Sequence, residues 1–157
     1  MGRDTQSVTQ RIDSLIAQYG DLPEEGDARS HWARYVCVVV SGLLETAVEE
    51  MCSDYASSRG HQSLAHFVGK SVSWNNQANV EVICKTLGKF RGEWRDKAYQ
   101  VMSEEERSAI NSVVSLRHGI AHGRNNNVQW VLLVTEYYPN IVRALHKLAN
   151  GLETSFQ

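Results

Sequence analysis

A chain of 157 residues, 42% hydrophobic and 22% charged, has the size and apolar content of one ordinary globular domain, which excludes a disordered tail or a fibre. Its net charge of -2 excludes a globally basic protein that coats nucleic acid and leaves only a local basic patch for that task. Two prolines against eleven glycines favour long uninterrupted helices over a many-stranded sandwich, so the expected class is all-α, a bundle of about five to seven helices.

In chain order, Val8, Ile12, Leu15, Ile16 and Tyr19 recur at spacings of three and four and predict an amphipathic helix that stops at Gly20. A short acidic linker, Asp21 to Gly26, follows. From about Asp27 to Ser58 the pattern Trp32, Tyr35, Val36, Val39, Val40, Leu43, Leu44, Val48, Met51, Cys52 and Tyr55 predicts the longest helix. Around Cys37, Val38 and Ala47 it is apolar nearly all round, the mark of a central element covered by others. Leu64, Phe67 and Val68 suggest a short helix and Ser73 to Gln77 a loop.

Val80, Ile83, Cys84, Leu87 and Phe90 predict another amphipathic helix. Lys85, Lys89, Arg91, Arg95 and Lys97, set against Glu93 and Asp96, make residues 85 to 97 the most basic stretch; interleaved with Phe90, Trp94 and Tyr99 it reads either as a guide for single-stranded RNA or as a solvated helix face over core aromatics. Ser103 with Glu106 has the capping-box form, and Glu104 to Glu106 suit the positive end of a helix dipole. The helix begun there carries Ile110, Val113, Val114 and Ile120 toward Gly119 and Gly123, with a turn at Arg124 to Asn127. Val128 to Val134 is β-branched and reads as briefly extended, and Ile141, Val142, Leu145, Leu148 and Leu152 predict a closing helix from about Thr135.

Cys37, Cys52 and Cys84 form no CxxC pair and read as reduced core thiols. The start, MGRDTQSVTQ, has no apolar signal region, and the most hydrophobic run, Tyr35 to Leu44, is far shorter than the roughly 20 residues of a membrane span. A cytoplasmic protein with no membrane association is expected.

The chemistry concentrates in Ser115-Leu116-Arg117-His118-Gly119-Ile120-Ala121-His122-Gly123. One guanidinium and two imidazoles within six residues, with His118 and His122 four apart, could project toward one side of a helix end. Imidazole moves a proton near neutral pH and a guanidinium holds a phosphate by a charged fork, which together suffice to cleave a phosphodiester without a metal. The same two histidines form HxxxH, a zinc-compatible spacing, but no third ligand is evident and no metal is assigned. Read alone, Arg117 and His122 fit better as basic side chains stabilising a helix C-terminus, worth about 0.3 to 1 kcal/mol each.

An Arg followed by a polar residue, then a histidine four to six positions after the Arg at the end of a helix, resembles the signature of the HEPN superfamily, and Arg117, His118 and His122 supply it. Arg34-Tyr35-Val36 through Ser41-Gly42-Leu43-Leu44-Glu45, then Gly88 to Trp94, then the motif itself, is similar to the RiboL-PSP-HEPN branch over about residues 30 to 150. The resemblance implies a single HEPN-like domain over residues 1–157, with an N-terminal helix at 1–20 and a core bundle at 27–153. It also implies a homodimer through the motif helices that places two Arg-x4-His motifs in one cleft, and a metal-independent endoribonuclease, in a toxin or antiviral-defence setting, that needs no cofactor.

Carried onto this chain, His122 is the general acid or base, Arg117 steadies the phosphate, and His118 orients the pair or touches substrate. On the helix of 27–58, Arg34, Ser41 and Glu45 fall within a narrow arc, so Glu45 is placed to hold the arginine or a histidine, or to form a structural ion pair. Arg124 and Asn125, just past the motif, are positioned either to contact RNA bases or simply to form a polar turn, which looks the same in sequence. Members that pair with a minimal nucleotidyltransferase carry a tyrosine two residues after the motif histidine; Arg124 stands there, so any antitoxin or regulatory partner would be a separate protein acting otherwise. The alternative is a noncatalytic HEPN interaction module that binds nucleic acid, nucleotide or a protein partner. His31, His61, His66 and His146 are expected to be ordinary surface or core-edge residues.

Overall fold

A computed structural model describes residues 1–58, 77–124 and 127–153. Six α-helices follow in chain order among them: α1 (Arg3–Ala17), α2 (Ala28–Ser58), α3 (Val80–Gly88), α4 (Gly92–Val101), α5 (Glu104–Ala121) and α6 (Tyr138–Glu153). The described residues contain no strand, as the all-α expectation requires. The short helix expected around Leu64 to Val68, the greater part of the loop at 73–77, and His61 and His66 lie outside the described residues.

The 31 residues of α2 make a rod about 46 Å long. Val36, Cys37, Val40, Leu43, Leu44, Ala47, Val48 and Cys52 are buried along it, because α1, α3, α5 and α6 all pack on it. Burial in this apolar environment pushes the Cys37 thiol up to about 12, and the Cys52 thiol likewise to about 12 with Glu49 adding repulsion; both are inert core groups.

α1 is amphipathic as expected, with Ile12 and Leu15 in the core, and it ends in a 3-10 turn, Gln18–Asp21. Its N-terminus lacks a cap of its own. The carboxylate of Glu50 on α2 takes that role, accepting from the N–H groups of Asp4 (2.9 Å) and Thr5 (3.1 Å) and from the Thr5 hydroxyl. Burial opposes ionisation there, yet these hydrogen bonds and the nearby chain terminus outweigh it and hold the Glu50 carboxyl below the usual range. A Cβ on Gly2 would run into that carboxyl, so a larger residue there would have to push the Glu50 side chain off the helix end. At the other side of α1, the Tyr138 hydroxyl donates to Asp13 at 2.8 Å and ties it to α6.

Of the stretch Val128 to Val134 expected to be extended, only the start is so, Gln129 having an extended backbone; from Trp130 on it is helical instead. A short α-turn, Trp130–Leu132, leads into a π-helical segment, Leu133–Tyr137, that runs on into α6. Pro139 is the cause. It has no N–H to offer the carbonyl one turn back, and its ring crowds that carbonyl, so the helix widens ahead of it and the Tyr138 N–H reaches back to Leu133. Asn140 Nδ2 donates to the Glu136 carbonyl at 2.8 Å, a side-chain bond that adds to the backbone ladder just after the proline. The β-branched Val131 and Val134 are tolerated in this rod, whose Leu133 is fully buried against the core.

Candidate functional site

The motif sits at the C-terminal end of α5, and both ends of that helix are fixed. Ser103 Oγ accepts from the Glu106 N–H at 3.3 Å and Glu106 Oε2 accepts from the Ser103 N–H at 2.8 Å, the reciprocal capping box expected from the sequence. Glu106 is only 2% exposed, and its other oxygen meets Lys147 of α6 at 2.8 Å, which gives the buried charge a partner. Val113 and Val114 are buried on the inner side of α5.

At the far end, the Arg124 N–H donates to the Gly119 carbonyl at 2.9 Å and the Gly123 N–H to the Ile120 carbonyl at 3.1 Å. This is the Schellman closure, and it needs the left-handed φ of +66° that Gly123 adopts. His122 is therefore the C-cap residue, exposed at the helix end, and its N–H is held by the His118 carbonyl at 3.1 Å.

His118 and His122 come together, with ring centroids 4.3 Å apart and planes inclined by 58°. Arg117, about 100° round the helix from His118, is half-buried and faces α2, where it acts electrostatically on Glu45. Burial pushes the Glu45 carboxyl above its ordinary range, Arg117 pulls it down, and Glu49 one turn along α2 pushes it up again. Thus the arginine is drawn toward Glu45 of α2 while the two imidazoles lie together. Of the α2 stripe, Ser41 is buried, and Arg34 and Glu45 are half-buried.

Arg124 is exposed beside the motif, and Asn125 lies outside the described residues. The basic stretch of 85 to 97 divides into the end of α3, a turn and the start of α4. Its aromatics separate: Trp94 is 1% exposed and packs edge-on to Tyr55 at 4.7 Å, Phe90 is half-buried, and Tyr99, just beyond the stretch, is 52% exposed with the Arg107 guanidinium 4.2 Å above its ring. Arg91 pairs with Glu93 at 2.7 Å. His31 and His146 are exposed surface residues.

The sequence reading passed over Asn79, Glu81 and Asn111 and gave Ser115 no role of its own; with His118 they border a cavity of about 400 Å³ between the start of α3 and α5. Asn79 directly before an apolar helical pattern is a legible N-cap, but its closeness to the motif depends on how α3 meets α5. Among the described residues no three His, Cys, Asp or Glu side chains converge as metal ligands would, and no helix is long and apolar enough to cross a membrane.

An all-α bundle whose capped helix ends in Arg-x4-His has the architecture and motif of a HEPN-type module. The model of one such family, RiboL-PSP-HEPN, matches residues 3–152, and the chain belongs to that family. Comparison with curated proteins and with solved structures gave no match.

Proposed function

We propose that this HEPN protein is a metal-independent endoribonuclease whose active site is composed from two copies of the Arg117 to His122 motif across a homodimer two-fold. The observation that carries the reading is the geometry of the α5 terminus. It holds an exposed imidazole, His122, on a rigid Schellman cap, 4.3 Å from a second imidazole, beside a half-buried guanidinium that faces an acidic residue. Such pre-fixed groups lose little freedom when a phosphate arrives.

In this mechanism one His122 removes the proton from the ribose 2'-OH and that oxygen attacks the adjacent phosphorus. A protonated His122 from the other copy gives its proton to the departing 5'-oxygen. The products are a 2',3'-cyclic phosphate and a 5'-hydroxyl, and DNA, lacking the 2'-OH, is not cut. Arg117 neutralises the charge gathering on the phosphoryl oxygens, Glu45 positions Arg117, and His118 orients His122 or touches the substrate. Arg124 and Asn125, next to the motif, contact the RNA strand.

The family resemblance supports a toxin or antiviral-defence role with a separate antitoxin or regulatory protein, and the buried, unreactive thiols suit a reducing cytoplasm. The test is incubation of the purified protein with labelled RNA in excess EDTA. Cleavage that leaves cyclic phosphate ends is expected. Cleavage only on adding zinc would overturn the mechanism, and binding without cleavage would favour the noncatalytic interaction module.

A further inference from the structure

We infer that the cavity between the start of α3 and α5 is a nucleobase pocket that selects, at a nucleotide beside the motif, a base carrying an exocyclic amine. The inference rests on the ribonuclease reading only in taking RNA as the ligand; occupation of the pocket does not require cleavage. The cavity of about 400 Å³ lies in the range of small-ligand sites and opens beside His118, whose ring is 4.3 Å from that of His122.

The polar atoms of the wall are oriented by the fold. Asn79 Oδ1 accepts from the Val82 N–H at 2.9 Å, and Asn111 Oδ1 accepts from the Val80 N–H at 3.1 Å. Each amide thus has its oxygen committed to the first turn of α3, which fixes its plane and leaves the Nδ2 hydrogens as its outward function. Glu81, exposed on the same first turn, brings carboxylate oxygens that only accept, and Val114 adds an apolar surface. Among the described residues, no lysine or arginine lines this cavity. A carboxylate with fixed amides repels a phosphate and suits a base edge, where donors and acceptors alternate.

Adenine and cytosine present what this wall complements, an amino donor for Glu81 beside a ring nitrogen that accepts from Asn111 or Asn79. Guanine also offers an amino group to Glu81. Uracil has no exocyclic amine, and one of its carbonyl oxygens would face the carboxylate. The pocket therefore sets base preference while the Arg117 to His122 motif engages the backbone.

The test uses non-cleavable 2'-fluoro hexanucleotides of adenine, cytosine or uracil, fluorescently labelled, titrated with the full chain. The protein is expected to bind the adenine and cytosine oligomers about tenfold more tightly than uracil, the discrimination typical of one good base contact. Glu81→Ala should bring all three within about twofold. Asn111→Asp keeps an oxygen for the Val80 N–H while removing the two donors, so it should weaken adenine and cytosine more than uracil. Equal binding of all three, no binding at all, or a preference that survives Glu81→Ala overturns the inference. Arg117→Ala should lower all three alike. Failure to cleave RNA with the preference intact would sink the ribonuclease reading and leave the pocket standing; cleavage without any base preference would do the reverse.

Discussion

Arg117 and Glu45 carry opposite demands on one another. The carboxyl of Glu45 is held above its ordinary range because burial disfavours its charge more than Arg117 favours it, with Glu49 adding repulsion. A carboxyl whose folded-state pKa is raised binds its proton more tightly in the folded state. Stability is therefore full below the unfolded value and is lost as pH rises through the folded one. Glu45→Gln removes that loss. It should unfold at higher urea than the native chain at neutral pH, the difference closing below about pH 4, where the carboxyl is protonated in both states. Cleavage should fall in the same variant because Arg117 loses its holder. A Glu45→Gln protein less stable at neutral pH would show that the attraction to Arg117 outweighs the burial cost. Arg117→Ala, by contrast, should keep the fold and lower the cleavage rate by about 10³ to 10⁵, the range for arginines that neutralise phosphoryl charge. Loss of helical circular dichroism in that variant would assign Arg117 to structure instead.

At the scale of elements, the site depends on how α5 ends. The left-handed Gly123 closes the Schellman turn and so aims His122. Gly123→Ala should cost about 1 to 2 kcal/mol from the unfavourable backbone conformation, with activity falling further than stability as the imidazole swings from its place. Equal activity per folded molecule would free His122 from that dependence. The sequence made this helix legible at both ends, since Ser103 with Glu106 and Gly123 are local signals whose partners lie within one turn. The extent of α2 was equally legible, because nothing in residues 28–58 breaks a helix and the apolar positions surround it. Residues 130–134 were misread for the opposite reason. Their β-branched content suggests extension, while Pro139, several residues on, and the burial of Leu133 decide for a widened helix. Long-range contacts were hidden for a similar cause: Glu50 capping α1, and Asn111 receiving the first turn of α3, join residues 45 and 31 apart in sequence. Neither pattern nor propensity carries that information.

For the whole molecule the proposal requires a second copy, since it gives the proton-acceptor and proton-donor roles to two His122 side chains and leaves His118 to orient them or touch the substrate. Val113 and Val114 belong to the core, so a charge placed there would report on folding and not on association. The exposed surface of the motif includes Ala121, next to His122. A two-fold axis at such a patch serves both copies with the same residues and sets the motifs face to face. The most direct measurement is the cleavage rate, in EDTA, of doubly tagged and isolated heterodimers in which one subunit carries His122→Ala. Because each scissile phosphate would then lack either its acid or its base, the rate should fall by about 10² to 10⁴ relative to the native dimer. Heterodimers that keep half the native rate would contradict the shared site and show that each subunit works alone.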